Sequence, residues 1–301
     1  MPELLLSLTL ILNVCADFAD RCSTSRASAL TVSFWASICQ LLLMLPFIGL
    51  VGSFPISHIF LCLVVAIVSA AGRILWYRAL AESTESLATL APFLRLSSVF
   101  VVLFAFLILH EPFTVMKIAG TLLIILGSAL VTLDQPKRSI AALLTNNRAV
   151  LLVLIFAISM STVTVLYKYL LNAGAQIWTA YFYLKGFQAA FLLILASQRP
   201  VNKSGFFDAH DARLFLFARV LQTSAAVIYL TALRNADLSS VEPIMALAPF
   251  IYLFIEKIAP GFARLHPRLS TTATPVHKSL TGPRLAAIAI VMIGSFLMYL
   301  Q

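Results

Sequence analysis

Residues 119–131 read AGTLLIILGSALV and residues 286–298 read AAIAIVMIGSFLM. Laid over one another, they put Gly127-Ser128 on Gly294-Ser295, and the correspondence extends outward from there. Ala79-Leu80 falls on Ala232-Leu233, and the same register places Ser69 on Gln222, Arg73 on Ala226 and Trp76 on Tyr229. Nearer the N-terminus, Arg21 corresponds to Lys168 and Phe34-Trp35 to Tyr181-Phe182, while Glu111 and Glu256 close apolar runs at equivalent points. Self-similarity over such a distance decides the architecture before any local element does.

The composition says where this repeat lives. Of 301 residues, 61% are hydrophobic and only 11% charged, with a mean hydropathy of +0.98, against about 25% charged in a soluble domain. A bilayer offers no partner to a bare amide, so each crossing is a helix of roughly 20 apolar residues or a strand of a closed barrel. The runs here are too long for barrel strands. We read ten spans, near 2–20, 28–50, 57–79, 86–109, 114–133, 147–171, 177–197, 213–233, 239–258 and 283–300. They divide into a first five-helix repeat (1–135), a linker (136–146) and a second five-helix repeat (147–301) with a polar loop at 259–282. An odd number of spans per repeat turns the second copy upside down. The fold class expected is an all-α integral membrane protein of ten transmembrane helices in two inverted five-helix repeats, a build of secondary transporters whose substrate site lies near the midplane.

The stretch ALAESTESLATLAPFLRLSSVFVVLFAFLILHEPFTVMKIAGTLLIILGSALV (79–131) resembles the second part of an EamA domain of the drug/metabolite transporter superfamily, and SSVEPIMALAPFIYLFIEKIAP (239–260) is similar to the same pattern. The resemblance covers nearly the whole chain. It implies two EamA-like halves and export or exchange of small metabolites. Two departures stand out: Ser98 occupies the place of the family's proline, with Pro92 six residues earlier, and the loop between spans 9 and 10 is long. The small four-helix relatives carry a glutamate in the first helix eight residues before a basic residue. Here that position is Asn13, so coupling through that carboxylate does not carry over.

The first twenty residues hold no Lys or Arg, so the first span reads as a retained helix rather than a signal peptide. Cys15, Cys22, Cys39 and Cys62 fall in or beside spans without metal or redox spacing, and His58, His110, His210, His266 and His277 make no metal constellation. No metal and no cofactor is expected. The net charge of +9 sits in loops, which fits lipid headgroups and orientation rather than nucleic acid.

Candidate site residues are the polar groups inside spans, where an ionised side chain costs on the order of 2.5–3.5 kcal/mol at a helix centre and therefore faces the bundle interior or a wet cavity. In SAAGRILWYRAL (69–80), Ser69, Arg73 and Trp76/Tyr77 share one helical face. Arg219, Gln222, Ala226 and Tyr229 form the matching stripe on span 8. For Arg73 and Arg219 the alternative is snorkelling to the interface. Arg95, Tyr183, Lys185 and Glu242 complete the substrate-site candidates, with Glu242 open to pairing with Arg73, Arg95 or Arg219. Asn13, Asp17 and Glu242 are the coupling candidates, Asp17 alternatively pairing with Arg21 at i+4. Gly120, Gly127 and Gly294 are read as close-packing residues.

Cations outnumber acids in the spans, so the expected partner is a small carboxylate- or phosphate-bearing solute, amino-acid-like or similar, moved by alternating access, with proton or ion coupling and oligomeric state open. A carrier of lipid-linked intermediates is the alternative; a membrane enzyme is disfavoured because no HExxH-like or paired-acid motif is present. The expected location is a bacterial inner membrane. The connections after odd-numbered spans carry nearly all loop Lys and Arg, from Arg21 and Arg26 to Lys278 and Arg284, and the others only Lys117 and Arg234. The positive-inside rule then puts both termini outside, against the habit of the family. Alkaline phosphatase fused to the C-terminus is expected to be active; a fusion active only as a cytoplasmic reporter reverses this orientation.

Overall fold

The structure, a computed structural model, describes residues 2–23, 28–52, 54–82, 93–94, 96–112, 114–133, 148–198, 209–236 and 282–299, together with single positions and pairs between 238 and 255. It is helical throughout these residues. In chain order the helices are α1 (Pro2–Ser23), α2 (Ala29–Met44, running into a 3-10 turn at Leu45–Leu50), α3 (Ile56–Glu82) and α4 (Leu96–Phe104, continued by a π-helical turn at Ala105–Leu109). They continue as α5 (Val115–Leu133), α6 (Arg148–Asn172), α7 (Ile177–Gln198), α8 (Ala209–Asn235) and α9 (Gly282–Tyr299). Leu238, Val241, Met245, Ala248 and Tyr252 are helical and fall within the span expected at 239–258 or at its edge. The linker at 136–146, Arg95, Glu242, Glu256 and nearly all of the polar 259–282 loop lie outside the described residues.

Five helical stretches are long and apolar enough to cross a membrane: Ala29–Leu50, Ile56–Glu82, Arg148–Asn172, Ile177–Gln198 and Ala212–Asn235. Shorter apolar helices occur at Leu96–Leu109, Val115–Gly127 and Leu285–Gly294. The surface is apolar, and polar and charged side chains are buried among the apolar ones of the interior, unlike a water-soluble domain. Leu107, Leu122, Leu193, Ile194, Phe217 and Phe296 are exposed, whereas Asp20, Gln40, Lys185, Gln188 and Arg219 are buried. Lipid solvates the first set, and the protein must satisfy the second.

The ends of the helices follow from local chemistry. The Ser28 hydroxyl caps α2 by accepting from the Thr31 amide at 3.2 Å. Gly174, at φ +88°, ends α6: its amide donates to Leu171 O and the Ala175 amide to Leu170 O, the two bonds of a Schellman cap. The Lys168 ammonium then covers the last carbonyls of α8 and its following turn, donating to Leu233 O and Ala236 O at 2.9 Å each. Glu111 reaches from the end of α4 to accept from the Leu238 amide at 3.3 Å.

The principal pairings are α5 with α9, α1 with α8 and α3 with α6, then α3 with α7, α2 with α7 and α4 with α6, with α2 against α3 and α8 smaller. If α1, α2, α3 and α5 are exchanged with α6, α7, α8 and α9, α1·α8 becomes α6·α3 and α3·α7 becomes the smaller α8·α2, while α2·α7 and α5·α9 map onto themselves. The α5–α9 contact is the tightest of them at the backbone. A Cβ at Gly127 would lie 2.7 Å from Ala287 O and one at Gly294 2.6 Å from Gly120 O. The contact is reciprocal, since Ala287 stands opposite Gly120 in the 119–131/286–298 alignment.

Gly127→Ala and Gly294→Ala are each expected to cost about 1–3 kcal/mol through overpacking against backbone, read as a lowered thermal midpoint of the purified protein in detergent. Gly186→Ala, where nothing stands within 4 Å, is the control and should leave that midpoint unchanged or slightly higher.

Candidate functional site

Helices α1, α3, α4, α6 and α8 and the segment around Met245–Tyr252 surround a cavity of about 310 Å³, at the lower end of the roughly 300–1,000 Å³ of small-molecule sites. Its polar lining comes from Asn13 and Asp17 of α1, Arg73 and Tyr77 of α3, Ser97 of α4, Thr164 of α6, Gln222 and Tyr229 of α8, and Tyr252. Apolar walls come from Leu10, Trp76, Phe156, Met160 and Met245. Trp76 is stacked on Phe156 with centroids 5.2 Å apart, so one face of the cavity is a rigid aromatic plate shared by α3 and α6. The Tyr252 hydroxyl donates to Asp17 Oδ2 and ties the ninth segment to α1.

Arg73 is partly exposed and lines this space. Its NH1 donates to Gln222 Oε1 at 3.5 Å, and among the described residues no carboxylate pairs with it. The second arginine behaves differently. Arg219 is fully buried and forms a salt bridge with Asp20 Oδ1, which is also fully buried. Its NH1 donates to Tyr77 OH and to Gln222 Oε1, both at 2.8 Å. Asp20 Oδ2 also accepts from Tyr77 OH at 3.2 Å and Gln222 Nε2 at 3.0 Å, and Gln40 Nε2 of α2 reaches Gln222 Oε1 at 3.4 Å. The Arg219 guanidinium stands 4.8 Å from the Phe215 ring centroid and 6.0 Å from that of Tyr77. Four helices are therefore fastened by one neutral cluster of opposite charges, and Tyr77 and Gln222 form its border with the cavity.

Of the residues expected from sequence, Arg73, Trp76, Tyr77, Gln222 and Tyr229 meet in the cavity, as do Asn13 and Asp17. Arg219 lies behind the wall. Its snorkelling alternative is corrected by its complete burial and by the Asp20 carboxylate, which compensates the charge. Lys185 and Tyr183 are not among the cavity lining: Lys185 points into the α3–α7 packing, and Tyr183 stacks on Phe54 at 5.5 Å. Arg95 and Glu242 lie outside the described residues, and so does the Arg21 side chain. Sequence reasoning missed Asp20, the last residue of the first span, and Tyr252 as site residues. Counting charges exposes the first, because an arginine within a span needs an acid somewhere. The stripe Met245, Ala248, Tyr252 exposes the second.

The sequence pattern of the EamA-like transporter family matches residues 4–133. Those residues are similar to an EamA-like transporter domain. The family belongs to the drug/metabolite transporter superfamily, and the match, together with the five long apolar helices, fits a multi-pass integral membrane protein. Likeness of fold extends further than the matched residues. A solved crystal structure, described only as that of a protein, superposes over 98% of this chain and 95% of its own with a TM-score of 0.67 at 15% identity, and 28 chains of solved structures match. At that identity the likeness concerns the fold alone. No curated protein matches the chain.

Asp20→Ala or Arg219→Ala leaves a buried charge unpaired and is expected to cost about 3–5 kcal/mol, measured as loss of monodisperse protein and a lowered thermal midpoint. Asp20→Leu combined with Arg219→Met should recover most of that loss.

Proposed function

We propose that this EamA-like chain is a secondary transporter of ten helices in two inverted repeats, exporting or exchanging a small carboxylate- or phosphate-bearing solute by alternating access across a bacterial inner membrane. The observation that carries the reading is the cavity between the halves, holding a guanidinium that no carboxylate pairs with among the described residues. A buried or half-buried cation in a membrane bundle is costly unless something anionic meets it, and a solute oxyanion is the partner that Arg73 lacks among the described residues. Trp76, Phe156 and Tyr229 offer apolar and aromatic surface for the rest of such a solute.

The pairing pattern supports the repeat, since α1·α8 maps onto α3·α6, and α2·α7 and α5·α9 onto themselves, when the halves are exchanged. The two ends of the bundle support alternating access. In the register that pairs Ser69 with Gln222 and Arg21 with Lys168, the ionic cluster Asp20, Tyr77 and Arg219 corresponds to Tyr167, Leu230 and Ala66. Those three lie together in an apolar packing cluster. One end is thus sealed by charge and its image by packing, so the two closures differ in strength and in the stimulus that opens each.

Purified protein is screened by thermal shift against amino acids, other carboxylates, phosphorylated metabolites and polyprenyl phosphate, and hits are then assayed for uptake into proteoliposomes. A soluble anion at about 100 times its Kd adds about 2.7 kcal/mol of stability. Arg73→Ala is expected to abolish both the shift and the uptake while membrane abundance stays at the wild-type level. Undiminished uptake by Arg73→Ala removes this residue from the site, and stabilisation by polyprenyl phosphate alone makes the chain a carrier of lipid-linked intermediates.

A further inference from the structure

One buried titratable group takes no part in the cavity or in the ionic cluster. Lys185, in the body of α7, is 2% exposed. Its Nζ donates to Gln188 Oε1 at 3.1 Å and sits 5.2 Å from the Tyr181 ring centroid; among the described residues no carboxylate pairs with it. An ammonium has three protons to place, and here one neutral oxygen and one ring receive them. The charges that act on it from neighbouring helices are cationic, Arg73 of α3 and Arg219 of α8. Asp20, the buried acid nearest in the network, is already committed to Arg219. α2, which also packs on α7, has Cys39 as its sole titratable side chain between Ala29 and Met44. Around the same packing, the Tyr167 hydroxyl and Gln40 Oε1 are buried with no hydrogen-bond partner among the described residues, while the Tyr181 hydroxyl meets Thr223. Among the described residues these surroundings hold acceptors and donors but no carboxylate paired with Lys185.

Lys185 is nevertheless wired to the cavity. Gln188 Nε2 donates to Ser69 Oγ at 3.5 Å, and Ser69 lies one turn of α3 before Arg73, whose guanidinium borders the space proposed for solute. We propose that Lys185 is the proton-binding site that couples transport to a proton gradient: an amine without its proton in the arrangement described here, and an ammonium when an anion lies beside Arg73. This rests on the reading of the cavity as the solute site. The step is a proton transfer from water to Nζ and back, with no other reactant. An anion at Arg73 cancels one of the two positive charges that oppose the ammonium, so anion and proton load together and leave together. The coupling is therefore co-transport in one direction rather than exchange.

The test needs no substrate. Full-length protein labelled with 15N-lysine in nanodiscs gives side-chain Nζ resonances in which a neutral amine and an ammonium are separate, and the signal missing from Lys185→Arg belongs to Lys185. The expected result at pH 7 is an amine signal for Lys185 in the wild type. In Arg73→Gln, which imitates the cancelled charge, the same resonance should appear as ammonium at that pH while the other lysine signals stay in place. An ammonium signal in the wild type, or a Lys185 signal indifferent to Arg73→Gln, overturns the proposal. Neither result touches Arg73-dependent uptake, so failure of the proton site and failure of the transporter reading are told apart.

Discussion

The structure depends on a buried carboxylate meeting a buried guanidinium. Asp20 stands near the end of α1 and Arg219 in the first half of α8, 199 residues apart in the chain, and each has no exposed surface. Neither charge is tolerable alone in a low-dielectric interior, and together they form a neutral body to which Tyr77 and Gln222 add further hydrogen bonds, although Arg219 Nε meets no partner among the described residues. The α1–α8 contact thus carries specificity that apolar packing lacks, because lipid competes with any leucine but not with a carboxylate. The same network sets the position of Tyr77 and Gln222, two of the residues that shape the cavity.

Much of the fold was legible because membrane physics writes it locally. Apolar runs of about 20 residues mark the crossings, and the α5–α9 glycines could be read as packing residues because small residues in a span have few other uses. The faces of α3 and α8 were also readable: Arg73 with Trp76 and Tyr77, and Gln222 with Tyr229, are each set by helical periodicity alone. Which helix each face would meet was not. Asp20 looked like the end of the first crossing because its charge closed the apolar run, and only the approach of α8 shows why a carboxylate is buried there and the helix continues to Ser23. Arg219 looked close enough to an interface to extend outward for the same reason. Pairing across such a separation leaves no trace in any window of sequence.

Lys185 illustrates the other limit. Its aromatic neighbours Tyr181 and Tyr183 suggested a wall of the solute site, yet the direction of a side chain on α7 is decided by α2 and α3 packing against it. Tyr183 turns toward Phe54 and Phe187, and Lys185 toward Gln188 and Tyr181. Two residues that adjoin in sequence therefore serve different neighbourhoods. Tyr252 shows the converse, a residue on a late segment that reaches the first helix through Asp17 and completes the enclosure.

The self-mapped contacts, α2 with α7 and α5 with α9, have a mechanical consequence. When two like units trade conformations, a contact that is its own image has the same partners before and after, whereas α1·α8 and α3·α6 trade places. In the alternating-access carrier proposed above, the glycine-seated α5–α9 pair serves as a stationary bearing, leaving travel to the helices that border the cavity. Contacts broken and remade in each cycle then fall on the pairings that trade places, the ionic cluster and its apolar counterpart among them.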